Sequence, residues 1–496
     1  MQLLRRALGC ILLLAMEQLV TAQPAANRGY DDQVMAALTA RPGGLTAEAA
    51  ASRARNNNPS LQARQLDVAL SKANLHQVLM GYLPQIVPAA VVTRTSSNDF
   101  AFGSGVTVGA INSGPLSVGT CPGGVGDCVL DAGGQPVAAV ASDVAPTPRN
   151  NYKLELNVAV PISDYVLGLS AARNAAKNDI AARQHSADAE TRRIELEAKV
   201  AYYQWVRVIA QVAVAERALA SNKARLRDAR RGFRGGALAA VDVKQIQSLV
   251  ASANVAVQQA KSFELLARQN LAIMMGESSA DYQLGENIFA DLEPLSRYGS
   301  LADLIAHGQK HRSEIRSLIA TSSAAKAAHK GAGTQLWPRI DGVANVTHAN
   351  PNQLFFPLED AWNTSWYVGV SVSWSLDRFF QARAQRAIID TSRRIADTHR
   401  QVLERGIAME VSAAWNAWQR AATSLEESRA ALAAAEAVYD QRVALFRGGE
   451  ATTSEIIEAE VQWHNATMLL VNARIDSRIA RARLLSATAW PTENKQ

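Results

Sequence analysis

The chain is poor in cysteine and in charge. It has three cysteines in 496 residues, 19% charged residues, a formal net charge of +6 and no run of five or six like charges. A nucleic-acid-binding protein concentrates Lys and Arg on one stripe, whereas here they alternate with acidic residues along the helical segments. We therefore expect no nucleic-acid partner. After residue 22 no stretch of 18 apolar residues occurs, so we expect no transmembrane helix either.

Sequence signals for an enzyme are missing. The chain has no Gly-x-Ser-x-Gly elbow, no phosphate-binding Gly-Lys-Ser/Thr loop and no evident pair of catalytic carboxylates. His307 and His311 lie four residues apart on a predicted helix, but a zinc site needs three or four protein ligands and no third one is near. A solvated helix face is the favoured interpretation. We expect no metal, no cofactor and no catalysis.

The N-terminus has the pattern of an export signal. Arg5 and Arg6 precede an apolar stretch at 7–16, and small residues at 20–22 predict cleavage before Gln23. A membrane anchor is the alternative, but the apolar stretch is shorter than the ~20 residues that span a bilayer. Cleavage would leave Cys121 and Cys128, for which export favours a local disulfide over two free thiols.

The remaining chain contains an internal repeat, in which one structural unit occurs twice. Residues 164–273 align without a gap with 377–486 at an offset of 213, so that Trp205 falls on Trp418 and Gly235 on Gly448. A second offset, of 254 residues, relates residues 59–84 of the first repeat to residues 313–338 of the second. A duplicated unit of this size predicts a pseudo-symmetric assembly. The predicted divisions are a signal peptide (1–22), an N-terminal segment (23–60), a first repeat (61–276), a linker (277–300), a second repeat (301–489) and a tail (490–496).

Each repeat contains two predicted strands, at 84–97 and 151–162 and then at 338–348 and 365–376. Apolar and polar residues alternate along the second strand of each repeat, and an exposed loop at 98–149 separates the first two strands. Their lengths suit tilted membrane-spanning strands of about 9–11 residues, and aromatic residues at their ends suit the two lipid interfaces. A strand of a soluble sandwich is the alternative. The aromatic residues are Tyr152, Tyr165, Trp362, Trp366, Trp374 and Phe379.

Four strands cannot close a barrel, and an open sheet edge is not tolerated in lipid. We therefore expect several copies to share one barrel. Two copies would give eight strands and an interior filled by side chains, whereas three would give twelve strands and an opening.

Long helices make up most of each repeat. They are predicted at about 61–82, 166–233, 241–275, 379–446 and 454–487, and the two longest carry the 3.5-residue repeat of a coiled coil. The fold class is thus mainly α with a small β part: coiled-coil helices forming an α-barrel, and four strands per chain in a shared transmembrane β-barrel.

Acidic residues follow the two glycine turns that end the long helices. Asp242 follows Gly235-Gly236, and Glu455 and Glu458 follow Gly448-Gly449. An assembly around an axis would repeat these acids as a carboxylate ring that attracts cations and narrows a pore. Acids at a helix start also complement the helix dipole, which is the alternative for Asp242 and Glu455.

The order of elements, with Asn58-Pro59, Leu83-Pro84, Trp337-Pro338 and Arg447-Gly448-Gly449, resembles the TolC-like outer membrane efflux protein family. The resemblance implies a homotrimer with a twelve-stranded barrel in bacterial outer-membrane lipid and a helical tunnel in the periplasm. It also implies docking of the helical tips to a periplasmic adaptor that serves an inner-membrane transporter. Glu455 and Glu458 match the family's acidic constriction, while the lipid-attached cysteine of many drug-efflux members is absent.

These observations predict a passive export channel gated at its periplasmic tips. Small-molecule efflux is the expected role, and an exit duct for type I protein secretion is the alternative. A coiled-coil surface adhesin without a pore is an alternative of a different class. Candidate docking positions at the tips are Gly235, Gly236, Leu238, Gly448, Gly449 and Thr452.

Overall fold

A computed structural model describes residues 32–96, 106–109, 112–141, 149–236, 238–278, 280–292, 299–355, 358–448 and 450–490. The predicted signal peptide and residues 491–496 of the tail lie outside these ranges.

The chain is mainly helical, as predicted. The described residues form nine α-helices: α1 (Asp32–Leu38), α2 (Ala47–Asn57), α3 (Pro59–Met80), α4 (Leu169–Arg234), α5 (Ala240–Met275), α6 (Leu301–His311), α7 (Ser313–Thr334), α8 (Leu376–Arg447) and α9 (Thr453–Ala487). They also form eight strands: β1 (Gln85–Arg94), β2 (Val106–Gly109), β3 (Ser117–Thr120), β4 (Asp127–Leu130), β5 (Ala138–Ala141), β6 (Asn150–Val160), β7 (Arg339–Asn350) and β8 (Asn363–Ser373). A π-helical turn, Asp164–Gly168, precedes α4.

The chain divides into two compact units. The first unit comprises the described residues up to 74, with 176–325 and 391–490, and the second comprises 75–175 and 326–390.

The second unit is built on a four-stranded antiparallel sheet in the order β1-β6-β7-β8. The four strands are the predicted ones, and β6 and β8 begin and end within three residues of the predicted limits. Two short antiparallel strand pairs, β2 with β5 and the hairpin β3 with β4, lie in the segment expected to be a loop. That segment combines Val-rich stretches with Gly turns, so local pairing outweighs its loop-like composition.

The first unit has a core in which both repeats take part. Tyr202, Trp205 and Val206 of α4 pack in one buried cluster with Leu271 of α5 and Ile475 of α9. A second cluster brings together Leu304 of α6, Ile407 and Val411 of α8, and Leu484 of α9. Each long helix is therefore held by apolar residues on more than one side, which agrees with the broad apolar arc in its sequence.

The linker between the repeats is packed against this core. Leu284 and Ile288 are buried. The Glu286 carboxylate accepts hydrogen bonds from the Tyr203 hydroxyl at 3.0 Å and from Arg478 Nε at 3.3 Å. Arg478 Nη2 also donates to the carbonyls of Asn287 and Ala290. A buried guanidinium thereby satisfies linker carbonyls that would otherwise lack partners.

The N-terminal segment, for which the sequence analysis assigns no helix, contains α1 and α2. Helix α2 begins after Thr46, whose side chain accepts a hydrogen bond from the backbone N–H of Ala49. Its buried residues are all alanine. Small side chains give a weak apolar periodicity, so the sequence pattern did not reveal this helix.

Candidate functional site

The two faces of the four-stranded sheet differ sharply in polarity. Residues directly opposite each other on neighbouring strands share a face, so the register sorts them into rows. One row joins Pro88, Leu156, Val346 and Trp366. The apolar face is exposed in the single chain, and Trp366 retains 72% of its accessible surface.

The opposite face is polar and hydrogen-bonded. Asn345 Nδ2 donates to Asn157 Oδ1 at 2.7 Å, and Thr347 Oγ1 donates to Asn345 Oδ1 at 2.8 Å. Thr347 also contacts Glu155, which pairs with Lys153. This face satisfies its polar groups within the sheet and suits contact with water.

Five of the six predicted aromatic residues lie at the two ends of the sheet, whereas Trp366 is the fourth residue of β8 and lies in the row that contains Leu156. At one end the rings of Tyr152 and Trp362 are 6.2 Å apart. At the other end Tyr165 stacks on Tyr82 with 6.0 Å between ring centroids. Trp374 and Phe379 follow β8 at that same end, where Phe379 contacts Phe380 edge to face.

Both edges of the sheet are open. In the described part of the chain, β1 pairs only with β6 and β8 pairs only with β7. Each edge presents a row of unpaired backbone N–H and C=O groups. The helices in the described part of the chain include no candidate membrane-spanning segment.

The first tip is the turn between α4 and α5. Gly235 and Gly236 form the turn, and Gly236 has φ +74°, which glycine adopts without strain. Leu238 packs beside a small buried cluster around Leu226. The Asp242 carboxylate accepts a hydrogen bond from the backbone N–H of Ala239 at 3.0 Å, so it caps α5.

The second tip is the turn between α8 and α9, where Gly448 is exposed and Gly449 lies outside the described residues. Thr452 and Glu455 form a complete capping box: Glu455 Oε2 accepts from the Thr452 N–H at 2.7 Å, and Thr452 Oγ1 accepts from the Glu455 N–H at 3.3 Å. Arg442 donates to the other carboxylate oxygen of Glu455 at 3.0 Å.

The acids of the second tip differ in how they are engaged. The hydrogen bonds from Thr452, with the nearby Arg442 guanidinium, lower the pKa of Glu455. Glu458, one turn further along α9, is exposed, and no hydrogen bond or ion pair joins it to another described residue. Glu458 is therefore the more available of the two for a pore or a partner.

A buried ion pair near the tips was not predicted. Arg225 of α4 contacts Glu460 of α9, and their side chains retain only 17% and 6% of their accessible surface. His464 Nε2 lies 3.6 Å from Glu460, and Asn222 accepts from Arg225 at 3.4 Å. Burial lowers the pKa of Arg225. The two partners are far apart in the sequence, so no local pattern points to them.

The histidine pair packs against other residues and does not form the solvated helix face that the sequence favoured. His307 Nδ1 lies 2.9 Å from the Thr488 carbonyl, and the His307 ring stacks on His311 and lies tilted against Trp490. Nowhere in the described ranges do three His, Cys, Asp or Glu residues come together as a set that could hold a metal ion. Cys121 and Cys128 are joined as a disulfide across the β3–β4 turn, with 5.3 Å between their Cα atoms.

Comparisons with known proteins find a matching family model and several solved structures with a similar fold. The family model of outer membrane efflux proteins matches residues 304–489. The outer membrane channel CmeC of Campylobacter jejuni gives a TM-score of 0.67 at 15% identity, covering 92% of this chain and 90% of that chain. VceC of Vibrio cholerae, an outer membrane protein, gives 0.66 at 16% identity and 89% and 95% coverage. The open-state channel MtrE of Neisseria gonorrhoeae gives 0.65 at 15% identity and 89% and 88% coverage.

A comparison with curated protein sequences finds no match. At the identities above, the structural likeness concerns the fold, and the sequence evidence for the family comes from residues 304–489. The predicted location in the outer membrane agrees with the family match and with the structural likeness. The predicted resemblance to the TolC-like outer membrane efflux protein family is thus confirmed: the second repeat matches the family's sequence pattern, and the chain has the fold of outer membrane channels.

Proposed function

We propose that the chain is one subunit of a homotrimeric outer membrane channel that conducts substrates passively from a periplasmic pump complex to the cell exterior. The observation that carries this proposal is the four-stranded sheet, which has one exposed apolar face, one polar face and two open edges.

Lipid is the environment that such a sheet suits. Its strands contain 10 to 12 residues, close to the ~9–11 that cross a bilayer when tilted, and aromatic residues mark both ends. Unpaired edges cost several kcal/mol per group in lipid, by the ~2–7 kcal/mol range for burying a polar group. Pairing β1 of one copy with β8 of the next removes both edges.

Three copies give a barrel with an interior that can conduct. Twelve strands leave an opening, whereas the interior of an eight-stranded barrel is filled by side chains. The face that carries Asn157, Asn345 and Thr347 then lines the lumen. Water satisfies the outer lone pairs of such side chains, which lipid cannot do.

We place the periplasmic gate at the tips. Threefold symmetry repeats Glu458, with Glu455 and Asp242 nearby, as a ring of carboxylates that narrows the mouth and favours cations. Glu455 and Asp242 have capping roles as well, so Glu458 is the main contributor to the ring. The tips around Gly235, Gly236, Leu238, Gly448, Gly449 and Thr452 are the proposed docking positions for a periplasmic adaptor and its inner-membrane transporter.

Small-molecule efflux is the proposed role. The matched family is one of efflux proteins, and the fold is that of channels. We assign no reaction to the chain, and transport energy would come from the inner-membrane partner.

The test uses two adjacent positions of β8 that lie on opposite faces. Val370→Lys places a charge on the apolar face, where a Lys near the bilayer midplane costs about 2–4 kcal/mol, and we expect loss of membrane-inserted trimer. Ser371→Lys places the same charge on the polar face and leaves assembly intact. Native mass spectrometry of detergent-extracted protein reports the trimer, and liposome swelling reports the pore. A water-soluble monomer, or a trimer that admits no solute, would contradict the proposal.

A further inference from the structure

The two ends of the four-stranded sheet connect to different parts of the chain. At one end, here called the helix end, α3 and α7 lead into β1 and β7, and β6 and β8 lead into α4 and α8. At the other end, here called the loop end, the chain passes from β1 toward β6 and from β7 to β8. The long helices of the proposed channel are periplasmic, so its loop end meets the outer leaflet of the membrane.

The apolar face of the sheet carries basic side chains at the loop end alone. Side chains on one face recur at every second residue, and the register places the even-numbered residues of all four strands on the face that holds Leu156 and Trp366. Within these strands, that face has no Asp or Glu, and its only basic residues are Arg94 and His348. Arg94 is the last residue of β1, and His348 is the third from last of β7.

An aromatic cluster joins the two basic residues across the sheet. Arg94 pairs with Asn150, so it is the diagonal neighbour of Tyr152, at the ~7–8 Å that long side chains can span. The rings of Tyr152 and Trp362 are 6.2 Å apart, and Trp362 stacks on His348 with 4.8 Å between ring centroids. The cluster therefore extends from β1 to the residue that precedes β8.

The polar groups of this cluster are available to a ligand. Arg94 is exposed, and no hydrogen bond or ion pair joins its guanidinium to another described residue. Thr364 Oγ1 lies 2.9 Å from His348 Nδ1, which leaves Nε2 of that ring for a second hydrogen bond. The Tyr152 and Trp362 rings are 40% and 46% exposed. An unpaired guanidinium beside exposed rings suits a phosphate group, which the planar fork of Arg binds through two hydrogen bonds.

We propose that Arg94, Tyr152, His348 and Trp362 bind the phosphorylated sugar headgroup of a glycolipid in the outer leaflet. The inference rests on the proposed outer membrane channel, because only a membrane-inserted sheet brings this cluster to the surface of a leaflet. Two bases on a face without acids are complementary to phosphate. The stacked rings add a flat apolar surface on which a sugar ring can lie, and a glycerophospholipid has no such ring.

Native mass spectrometry of the delipidated trimer in detergent, titrated with bisphosphorylated lipid A, tests the inference. We expect one bound lipid A per subunit and weaker binding of phosphatidylglycerol, which has a phosphate but no sugar ring. Arg94→Gln with His348→Gln should weaken the binding of lipid A by about tenfold or more, the change expected when a charge-assisted hydrogen bond is lost.

Matched variants separate the site from general effects of charge and of aromatic surface. Lys153 follows Tyr152 on β6 but lies on the polar face, where it pairs with Glu155. Lys153→Gln therefore removes the same charge as Arg94→Gln beside the site and should leave the binding of lipid A unchanged. Trp362→Leu should weaken that binding, whereas Trp374→Leu, at the helix end, should not.

Thermal unfolding of the detergent-solubilised trimer gives a second measurement. Excess lipid A should raise the Tm of the unsubstituted protein and of Lys153→Gln, because a ligand that binds only the folded state stabilises that state. The increase should be much smaller for Arg94→Gln with His348→Gln.

The outcomes separate this inference from the proposed function. An intact trimer that binds lipid A equally well with and without Arg94 and His348 would overturn the inference alone. Equal binding of phosphatidylglycerol and lipid A would also overturn it, because any anionic lipid would then suffice. So would equal losses in Arg94→Gln and Lys153→Gln. Absence of a trimer in the unsubstituted protein would overturn the proposed function as well.

Discussion

The two tips share a backbone plan but have opposite charge. Residues 221–248 of the first tip contain seven basic residues against Asp228 and Asp242, whereas residues 434–461 of the second contain six acidic residues against Arg442 and Arg447. Lys223 and Arg227 even correspond to Glu436 and Asp440 at equivalent positions. The repeat therefore conserves the hairpin and reverses its electrostatics, which makes the tips distinguishable to any partner that contacts both.

The tips also differ in how their returning helices begin. Helix α9 starts at Thr452, whose side chain caps the backbone, whereas α5 starts at Ala239, which has no side-chain cap. The second tip is thus stabilised by a capping box and by an ion pair between Arg442 and Glu455, and its Glu460 pairs with Arg225 of the first tip. Among the described residues, the first tip has Asp242 alone as its helix cap.

The largest expected effect comes from the buried pair. Glu460→Ala leaves Arg225 buried without its carboxylate and should lower stability by about 3–5 kcal/mol. Arg225→Met with Glu460→Leu removes both charges and should recover most of that loss. Thermal unfolding of the detergent-solubilised protein measures both. Gln247→Ala at the equivalent position of the first tip should change stability by less than about 0.5 kcal/mol. Equal losses of stability in Glu460→Ala and Gln247→Ala would show that the difference between the two tips does not affect stability.

Exchanging the caps should make the tips more alike. Thr452→Ala should destabilise the start of α9 by about 1 kcal/mol, and Ala239→Ser should stabilise α5 by a similar amount. Hydrogen exchange in the first turn of each helix reports the change locally. Increased exchange at α9 without any decrease at α5 would mean that only the second tip depends on its cap.

Acid should affect the second tip through Glu455. The folded chain lowers the pKa of this carboxyl below its ordinary value of 4.5. Its contribution to stability is complete above pH 4.5 and is lost as the pH falls through the lower folded-state value. We expect Glu455→Gln to increase exchange at the start of α9 at neutral pH, and the two proteins to converge in acid. A difference that persists unchanged into strong acid would exclude this role.

The smallest expected effect concerns ion preference. Glu458→Ala should weaken the cation preference of the channel, whereas Gln245→Glu, at the equivalent position of the first tip, should strengthen it. Reversal potentials in planar bilayers under a salt gradient measure both. Unchanged reversal potentials in both variants would remove Glu458 from the gate.

Long periodic elements were predictable because their signals are local. The predicted helix at 166–233 corresponds to Leu169–Arg234, and the predicted strand at 151–162 to Asn150–Val160. The alternation that defined β6 and β8 is the same property that gives the sheet its apolar and polar faces. The spacing of the apolar residues and the internal repeat of the chain were therefore enough to predict the fold class.

Other features depend on contacts that no local pattern encodes. Helix α2 buries only alanines, and the linker is held by Arg478, which lies almost 200 residues further along the chain. Arg225 and Glu460 are likewise distant in sequence. One signal could have revealed them: both positions break the correspondence between the repeats, as Val438 and Gln247 show.

The open edges of the sheet constrain the order of biogenesis. In the proposed channel, a lone copy in the bilayer would leave two rows of backbone amides unsatisfied in hydrocarbon, so insertion would have to accompany or follow association with sister copies. Until then the exposed valines and the exposed tryptophan of β8 need shielding from association with other copies during export. The assembly rate should consequently rise steeply with subunit concentration, and dilution should favour proteolysis of the unassembled chain over assembly.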